Sequence, residues 1–170
     1  LSCPVGFKNG TDGNLQIVFD AIKSASGAHH FLSVTKEGNS AIFSTSGNSY
    51  CHTILRGGSK KVNYDKKSID EVSARLDKAN LPQQIVVDCS HANSMKDHKK
   101  QMIVVDDLAK QLSNGEKRIK GLMIESNLVE GNQNINDENL VYGKSVTDAC
   151  IGWEDTQKVL YTLSEAIEKR

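Results

Sequence analysis

The sequence predicts an α/β fold whose strands run parallel. Three observations carry this. Four short apolar runs do not alternate with polar residues, amphipathic helical stripes fill the intervals, and run and stripe succeed one another in strict order. A strand, a helix and a second strand in that order return the chain in the same direction through a right-handed crossover. Any one run alone is also compatible with a short buried helix segment.

The first run, Pro4 to Phe7, is closed by Lys8-Asn9-Gly10. Leu15, Val18, Phe19 and Ile22 come next at i, i+3, i+4 and i+7, one face of a helix. Phe31 to Thr35 and Ala41 to Thr45 flank Lys36-Glu37-Gly38-Asn39-Ser40, which reads as an inserted β-hairpin spanning about residues 29–50. The second run is His52 to Leu55. Ile69, Val72 and Leu76 share a helix face, and Ser68 with Glu71 has the spacing of a capping box. The third run is Ile85 to Val87. Met102, Val105, Leu108, Ala109 and Leu112 form the next stripe, ended by Asn114-Gly115. The fourth run is Leu122 to Ile124. Glu130 to Asn139, rich in Gly and Asn, reads as a long loop of the kind that carries function. Val159, Leu160, Leu163, Ala166 and Ile167 make a last amphipathic helix.

With 170 residues the expectation is one domain with a full core, and 38% hydrophobic and 25% charged residues mark it as globular. Lys+Arg and Asp+Glu are both 21, so there is no basic excess for nucleic acid. No apolar run is long enough to span a bilayer. Cys3, Cys51, Cys89 and Cys150 are far apart and no signal segment precedes them, as expected for reduced thiols in a cytoplasmic protein. Asn9-Gly10-Thr11 matches a glycosylation pattern, read here as chance. The chain opens with Leu1 inside a strand pattern, as a piece of a longer chain would.

The chemistry lies at the carboxyl end of each run. Lys8, Arg56, His91 and Glu125 stand just past the four candidate strands, about one βα unit apart, with the hairpin lengthening the first interval. In parallel α/β folds the carboxyl ends of the strands are where ligands bind. Lys8 and Arg56 stand beside glycines, so backbone and cation together approach an anion. Arg offers a planar fork and Lys a point charge. His91 and Glu125, with Asp148 from the next loop, are an N/O donor set suited to Mn, Fe, Co or Zn. A metal beside two cations points to a phosphorylated substrate with an electrophilic carbonyl.

Taken singly, each residue has a plainer reading: a surface salt bridge for Lys8 or Arg56, a satisfied structural histidine, a capping glutamate. Joint placement at four consecutive strand ends favours function. His29, His30, His52 and His98 lack that placement and read as structural or surface residues, and Lys60-Lys61, Lys66-Lys67, Lys96 and Lys99-Lys100 as solvated faces. No dinucleotide, P-loop or serine-hydrolase motif is present. Cys89 has no orienting partner for nucleophilic work.

Long motifs stand at these same positions. They are Pro4-Val5-Gly6-Phe7-Lys8-Asn9-Gly10-Thr11-Asp12-Gly13, His52-Thr53-Ile54-Leu55-Arg56-Gly57-Gly58, Asp88-Cys89-Ser90-His91-Ala92-Asn93-Ser94, Met123-Ile124-Glu125-Ser126-Asn127 and Tyr142-Gly143-Lys144-Ser145-Val146-Thr147-Asp148. Together they resemble the 3-deoxy-D-arabino-heptulosonate 7-phosphate (DAHP) synthases, the phospho-2-dehydro-3-deoxyheptonate aldolases, of the microbial type regulated by aromatic amino acids. The resemblance runs the length of the chain. It implies a (β/α)8 TIM barrel, of which residues 1–170 would be the carboxyl-terminal half: the last four strands, their helices and the hairpin. It implies the condensation of phosphoenolpyruvate with erythrose 4-phosphate, the first step of the shikimate pathway. Lys8 matches the lysine at the phosphoenolpyruvate carboxylate and Arg56 an arginine at its phosphate, and both would be catalytic. His91, Glu125 and Asp148 match three of the four protein ligands of the divalent metal.

The family's fourth ligand, a cysteine, lies upstream of the matched segment, as do the Lys-Pro-Arg-Thr motif for erythrose 4-phosphate and further arginines. An alternative reading is therefore an inactive half-barrel fragment that keeps partial ligand binding. A synthase of the same mechanism acting on another sugar phosphate fits the motifs less well. Ser2, Phe31 and Ser33 match positions near the bound aromatic effector, whose identity stays open, and a homo-oligomer is expected.

Overall fold

The computed structural model describes residues 3–59 and 61–170. Leu1, Ser2 and Lys60 lie outside the described residues, and with them the opening of the first strand pattern, one position assigned to the effector site and one of the surface lysines.

A four-stranded parallel sheet forms the frame, in the order β1 (Val5–Lys8), β4 (Cys51–Leu55), β5 (Ile85–Asp88), β6 (Ile119–Met123). Helices α1 (Gln16–Ser26), α2 (Lys66–Lys78), α3 (Gln101–Ser113) and α4 (Trp153–Glu168) alternate with the strands. α1 packs on β1 and β4, and α3 packs on α4. This is the predicted α/β fold with a parallel sheet. Among the described residues the sheet is open: β1 and β6 each have one strand partner, and no closed barrel forms.

That openness corrects one expectation. One face of the inner strands is fully buried, with Leu55, Ile85 and Val87 0% exposed, whereas His52 and Val86 on the opposite face are only half-buried. Val5 and Phe7 on β1, and Leu122 on β6, are only half-buried, because an edge strand has an open flank. β6 also starts at Ile119, before the predicted Leu122, and ends at Met123, short of Ile124. The polar Lys120 and small Gly121 hide its first half, since Lys120 points out of an edge strand that is not buried on both sides.

The helices follow their stripes, with two corrections. α2 begins at Lys66 and is capped by Asp65, whose carboxylate accepts from the Ser68 amide at 3.0 Å and the Ser68 hydroxyl at 2.7 Å. The Ser68–Glu71 capping box is absent: Asp65 is an equally strong capper three residues earlier, and its extended backbone makes it the entry point. In α4, Val159 and Ala166 are buried, but Leu160 and Ile167 are 55% and 48% exposed, so the predicted stripe is only partly covered. α3 ends as expected, with Gly115 in the left-handed conformation (φ +89°) just beyond Asn114.

The hairpin pairs β2 (His29–Val34) with β3 (Ser40–Thr45) antiparallel, Phe31 stacking on its partner Phe43 at 6.1 Å. The predicted loop at 130–139 is more ordered than its composition implied. Val129–Asn132 forms β7, which pairs with β8 (Lys144–Ser145). The Gln133 side chain accepts from Val141 N at 2.8 Å and donates to Val141 O at 2.9 Å. Among the described residues no helix is long and apolar enough to cross a membrane.

Candidate active site

At the end of β5 the chain must leave a buried strand without stranding polar groups. Asp88, 0% exposed, accepts from Ser90 N at 2.9 Å, while the Asn93 side chain donates to Asp88 O at 2.9 Å. His91 adopts a left-handed backbone (φ +52°), unusual for a residue with a Cβ, as do Met95 (φ +55°) and Lys96 (φ +60°). With this turn, His91 Nε2 lies 3.6 Å from Glu125 Oε1 and Nδ1 lies 2.8 Å from Asp88 Oδ2. The Nδ1 contact is close but too misaligned for an N–H···O bond.

Three buried asparagines tie the loops together. Asn9 accepts from Arg56 N at 2.8 Å and donates to Gly57 O at 2.9 Å. Asn63 accepts from Gly57 N at 2.7 Å, and Asn93 accepts from Asn63 N at 2.9 Å and donates to Leu55 O at 3.1 Å. An amide side chain offers separate donor and acceptor atoms, so each asparagine can serve two loops at once. Gly57 (φ +74°) is enclosed so closely that an added Cβ would lie 2.8 Å from Asn93 N. Arg56 is thereby fixed at its backbone, while its buried Nε meets no acceptor among the described residues. An orphaned guanidinium donor of this kind is costly unless an anion takes it.

Glu125 is held at both ends. Ser90 Oγ donates to Glu125 Oε2 at 2.7 Å, and the Gln101 side chain bonds its main chain. Asp148 arrives on the loop after β8, where the Asn132 side chain donates to Thr147 O at 2.9 Å. One donor atom from each of His91, Glu125 and Asp148 lies within 4.8 Å of the others. The set, one imidazole nitrogen and two carboxylate oxygens, fits a borderline divalent cation. The three ring a cavity of about 250 Å³ that Arg56, Lys96 and His98 also line. A larger hollow of about 710 Å³ lies beside the hairpin, lined mainly by the small and polar residues of 44–51. Phe31 and Ser33 are not among its lining residues.

Four of the five predicted site residues therefore share one cavity. Lys8 does not line it; instead Lys8 Nζ donates to the same Asp88 Oδ2 at 2.8 Å and is joined to the site through that carboxylate. Two residues read as surface or structural, Lys96 and His98, face the cavity. Asp88, Ser90, Gln101 and the three asparagines escaped a sequence reading, because nothing local links Gln101 to Glu125 or Asn9 to Asn63. The one available signal was position, since Asp88, Ser90 and Asn93 sit in the same strand-end motif as His91. Cys89 is 0% exposed, and its burial, with the Asp88 charge adding, pushes its thiol far above the ordinary range, so it is inert as a nucleophile.

The DAHP synthetase I family matches residues 1–161. The chain is 58% identical to the Phe-sensitive phospho-2-dehydro-3-deoxyheptonate aldolase of Escherichia coli K12, matching 100% of this chain and 49% of that protein. It is 52% identical to the Trp-sensitive aldolase of Enterobacter agglomerans, again over 100% of the chain and 49% of the relative. The structure of the phospho-2-dehydro-3-deoxyheptonate aldolase from Francisella tularensis SCHU S4 superposes with a TM-score of 0.93 at 50% identity, over 100% of this chain and 50% of that one. The chain thus spans about half the length of the relatives it matches.

Proposed function

The chain belongs to the DAHP synthetase I family, and on that premise we propose that it forms the carboxyl-terminal half of a (β/α)8 barrel that condenses phosphoenolpyruvate with erythrose 4-phosphate. Residues 1–170 form one part of that single domain, and the open edges of β1 and β6 are where further strands would pair. The observation that carries the reading is the meeting of His91, Glu125 and Asp148 donor atoms within 4.8 Å in a cavity that Arg56 also lines, its buried Nε without a partner among the described residues.

A divalent cation held by His91, Glu125 and Asp148, whether Mn, Fe, Co or Zn, would supply Lewis-acid polarisation of the aldehyde carbonyl. Arg56, preset by Asn9 and with its Nε free, grips the phosphate of phosphoenolpyruvate. Lys8, kept at the strand end by Asp88, takes its carboxylate. Together they hold the enol phosphate so that C3 faces the aldehyde carbon. In the proposed reaction C3 bonds to that carbon, water supplies the oxygen that becomes the C2 carbonyl, and inorganic phosphate leaves by C–O cleavage. Binding both anions before the carbon–carbon bond forms supplies the positional part of the rate enhancement.

The effector, an aromatic amino acid, and a homo-oligomeric state belong to the same proposal. The exposed apolar side chains of the hairpin, Leu32 and Ile42 among them, support the latter.

The test is Arg56→Ala in the protein, with phosphoenolpyruvate binding followed by calorimetry and product by release of inorganic phosphate. Binding should weaken by at least about tenfold and product should vanish, as it should on chelation of metal. Unaltered affinity would remove Arg56 from the phosphate site, and full turnover in excess chelator would remove the metal.

A further inference from the structure

We propose that Gln101 is a positioning residue for Glu125, a surrogate strand neighbour that holds a candidate metal ligand just past the end of the β5–β6 ladder. The inference rests on the metal-centre reading above.

The ladder between β5 and β6 pairs Asp88 with Met123, and Cys89 N donates to Met123 O at 2.8 Å. Two residues on, Glu125 lies past the last pair of the β5–β6 ladder; on its other flank its carbonyl accepts from Ile151 N at 3.0 Å, beside the bridge that pairs Ser126 with Ile151. The Gln101 carboxamide takes the place of a further ladder partner: Glu125 N donates to Gln101 Oε1 at 2.9 Å, and Gln101 Nε2 donates to Glu125 O at 3.0 Å. A carboxamide carries the donor and acceptor of a peptide group, so one side chain supplies both bonds that a strand residue would. Gln133 does the same for Val141 N and O.

Gln101 is 0% exposed at the first position of α3. Burying a glutamine is costly unless both ends of its amide are satisfied, and at Gln101 both are. It is not serving as a helix cap, since no side-chain cap bond is made at this helix start. Ser90 fixes the Glu125 carboxylate and Gln101 fixes its main chain, so the ligand atom is constrained from both ends. Outer partners of metal ligands typically alter metal affinity by about 10–100-fold when removed.

The experiment compares Gln101→Met with Gln111→Met. Gln111 is on the same helix, is likewise buried, and donates to Tyr64 O at 2.9 Å away from the site. Mn²⁺ affinity is measured by calorimetry and exchange of the Glu125 amide by NMR. Gln101→Met should weaken Mn²⁺ binding by at least about tenfold and speed Glu125 exchange by a similar factor, whereas Gln111→Met, though also lowering the unfolding midpoint, should change neither. Mn²⁺ affinities within about twofold of each other, with equal Glu125 protection, would overturn the proposal. Should Gln101→Met fail to fold, Gln101→Glu keeps the acceptor for Glu125 N and opposes Glu125 O, and the same comparison applies. If Glu125→Ala binds Mn²⁺ as tightly as the wild type, the metal-centre reading is what fails. Glu125 exchange then decides the clamp alone: acceleration in Gln101→Met upholds it, and unchanged protection refutes it.

Discussion

Replacing Asn93 by alanine should cost far more than an ordinary loop substitution. Asn93 is 3% exposed, and its side chain joins three places: Leu55 O at the end of β4 (3.1 Å), Asp88 O at the end of β5 (2.9 Å) and Asn63 N ahead of α2 (2.9 Å). Alanine leaves all three partners without that bond in a site closed to water. At about 1–2 kcal/mol per buried group left unsatisfied, the loss is about 3–6 kcal/mol. That is a large share of the 5–15 kcal/mol by which domains are ordinarily stable. Asn93→Asp should not rescue it, because the acid keeps the acceptor for Asn63 N but turns a carboxylate oxygen toward two carbonyls. Urea unfolding followed by circular dichroism reads the effect as a fall in midpoint at unchanged slope. A loss below about 1 kcal/mol would show that the hydrogen bonds across these loops do not set their stability, and the account of how Arg56 is preset would fall with it.

Acid should expose a second, separate tie. The Arg118 guanidinium hydrogen-bonded to Glu116 holds that carboxyl at about 2, although burial works against it. A depressed carboxyl stabilises the fold above its unfolded pKa and loses that contribution as pH falls toward its folded pKa. The loss should therefore run from pH about 4.5 down to about 2, amount to at most about 3 kcal/mol, and be absent in Glu116→Gln; an identical acid limb in that variant would refute the assignment. Thiol labelling at neutral pH should modify exposed Cys3 first and the half-buried Cys150, whose thiol burial pushes up, more slowly. Cys51 and Cys89 should react only on unfolding. Labelling of folded Cys89 at the rate of Cys3 would contradict its burial.

Much of the frame was legible because it is written locally. The inner strands appear as unbroken apolar runs, α3 shows its periodic face and its Asn114-Gly115 stop, and the hairpin shows two β-rich runs about a glycine turn. The misreadings occurred where local signals compete or where burial depends on neighbours. Asp65 displaced Ser68 as the cap of α2 because both offer the same chemistry. Lys120 masked the start of β6, since an edge strand tolerates a charge that an inner strand would not. The segment around Glu130 reads as loop by composition, but Val129–Asn132 pairs with Lys144–Ser145, and the Gln133 side chain just beyond bonds the main chain of residues 141 and 144.

By itself the sequence yielded the α/β alternation, the family resemblance and the candidate residues Lys8, Arg56, His91 and Glu125 at the strand ends, with Asp148 on the following loop. Periodicity and strand-end position are properties of a few consecutive residues, and a parallel sheet converts them directly into a shared mouth. Only the tertiary structure decided which of these meet, and how. It separated Lys8 from the cavity through Asp88, turned His91 by a left-handed backbone, and brought Gln101 to Glu125 and Asn9 to Asn63 and Arg56. Those partners lie tens of residues apart, and a buried amide chooses its partner by whichever unsatisfied peptide group the fold carries to it.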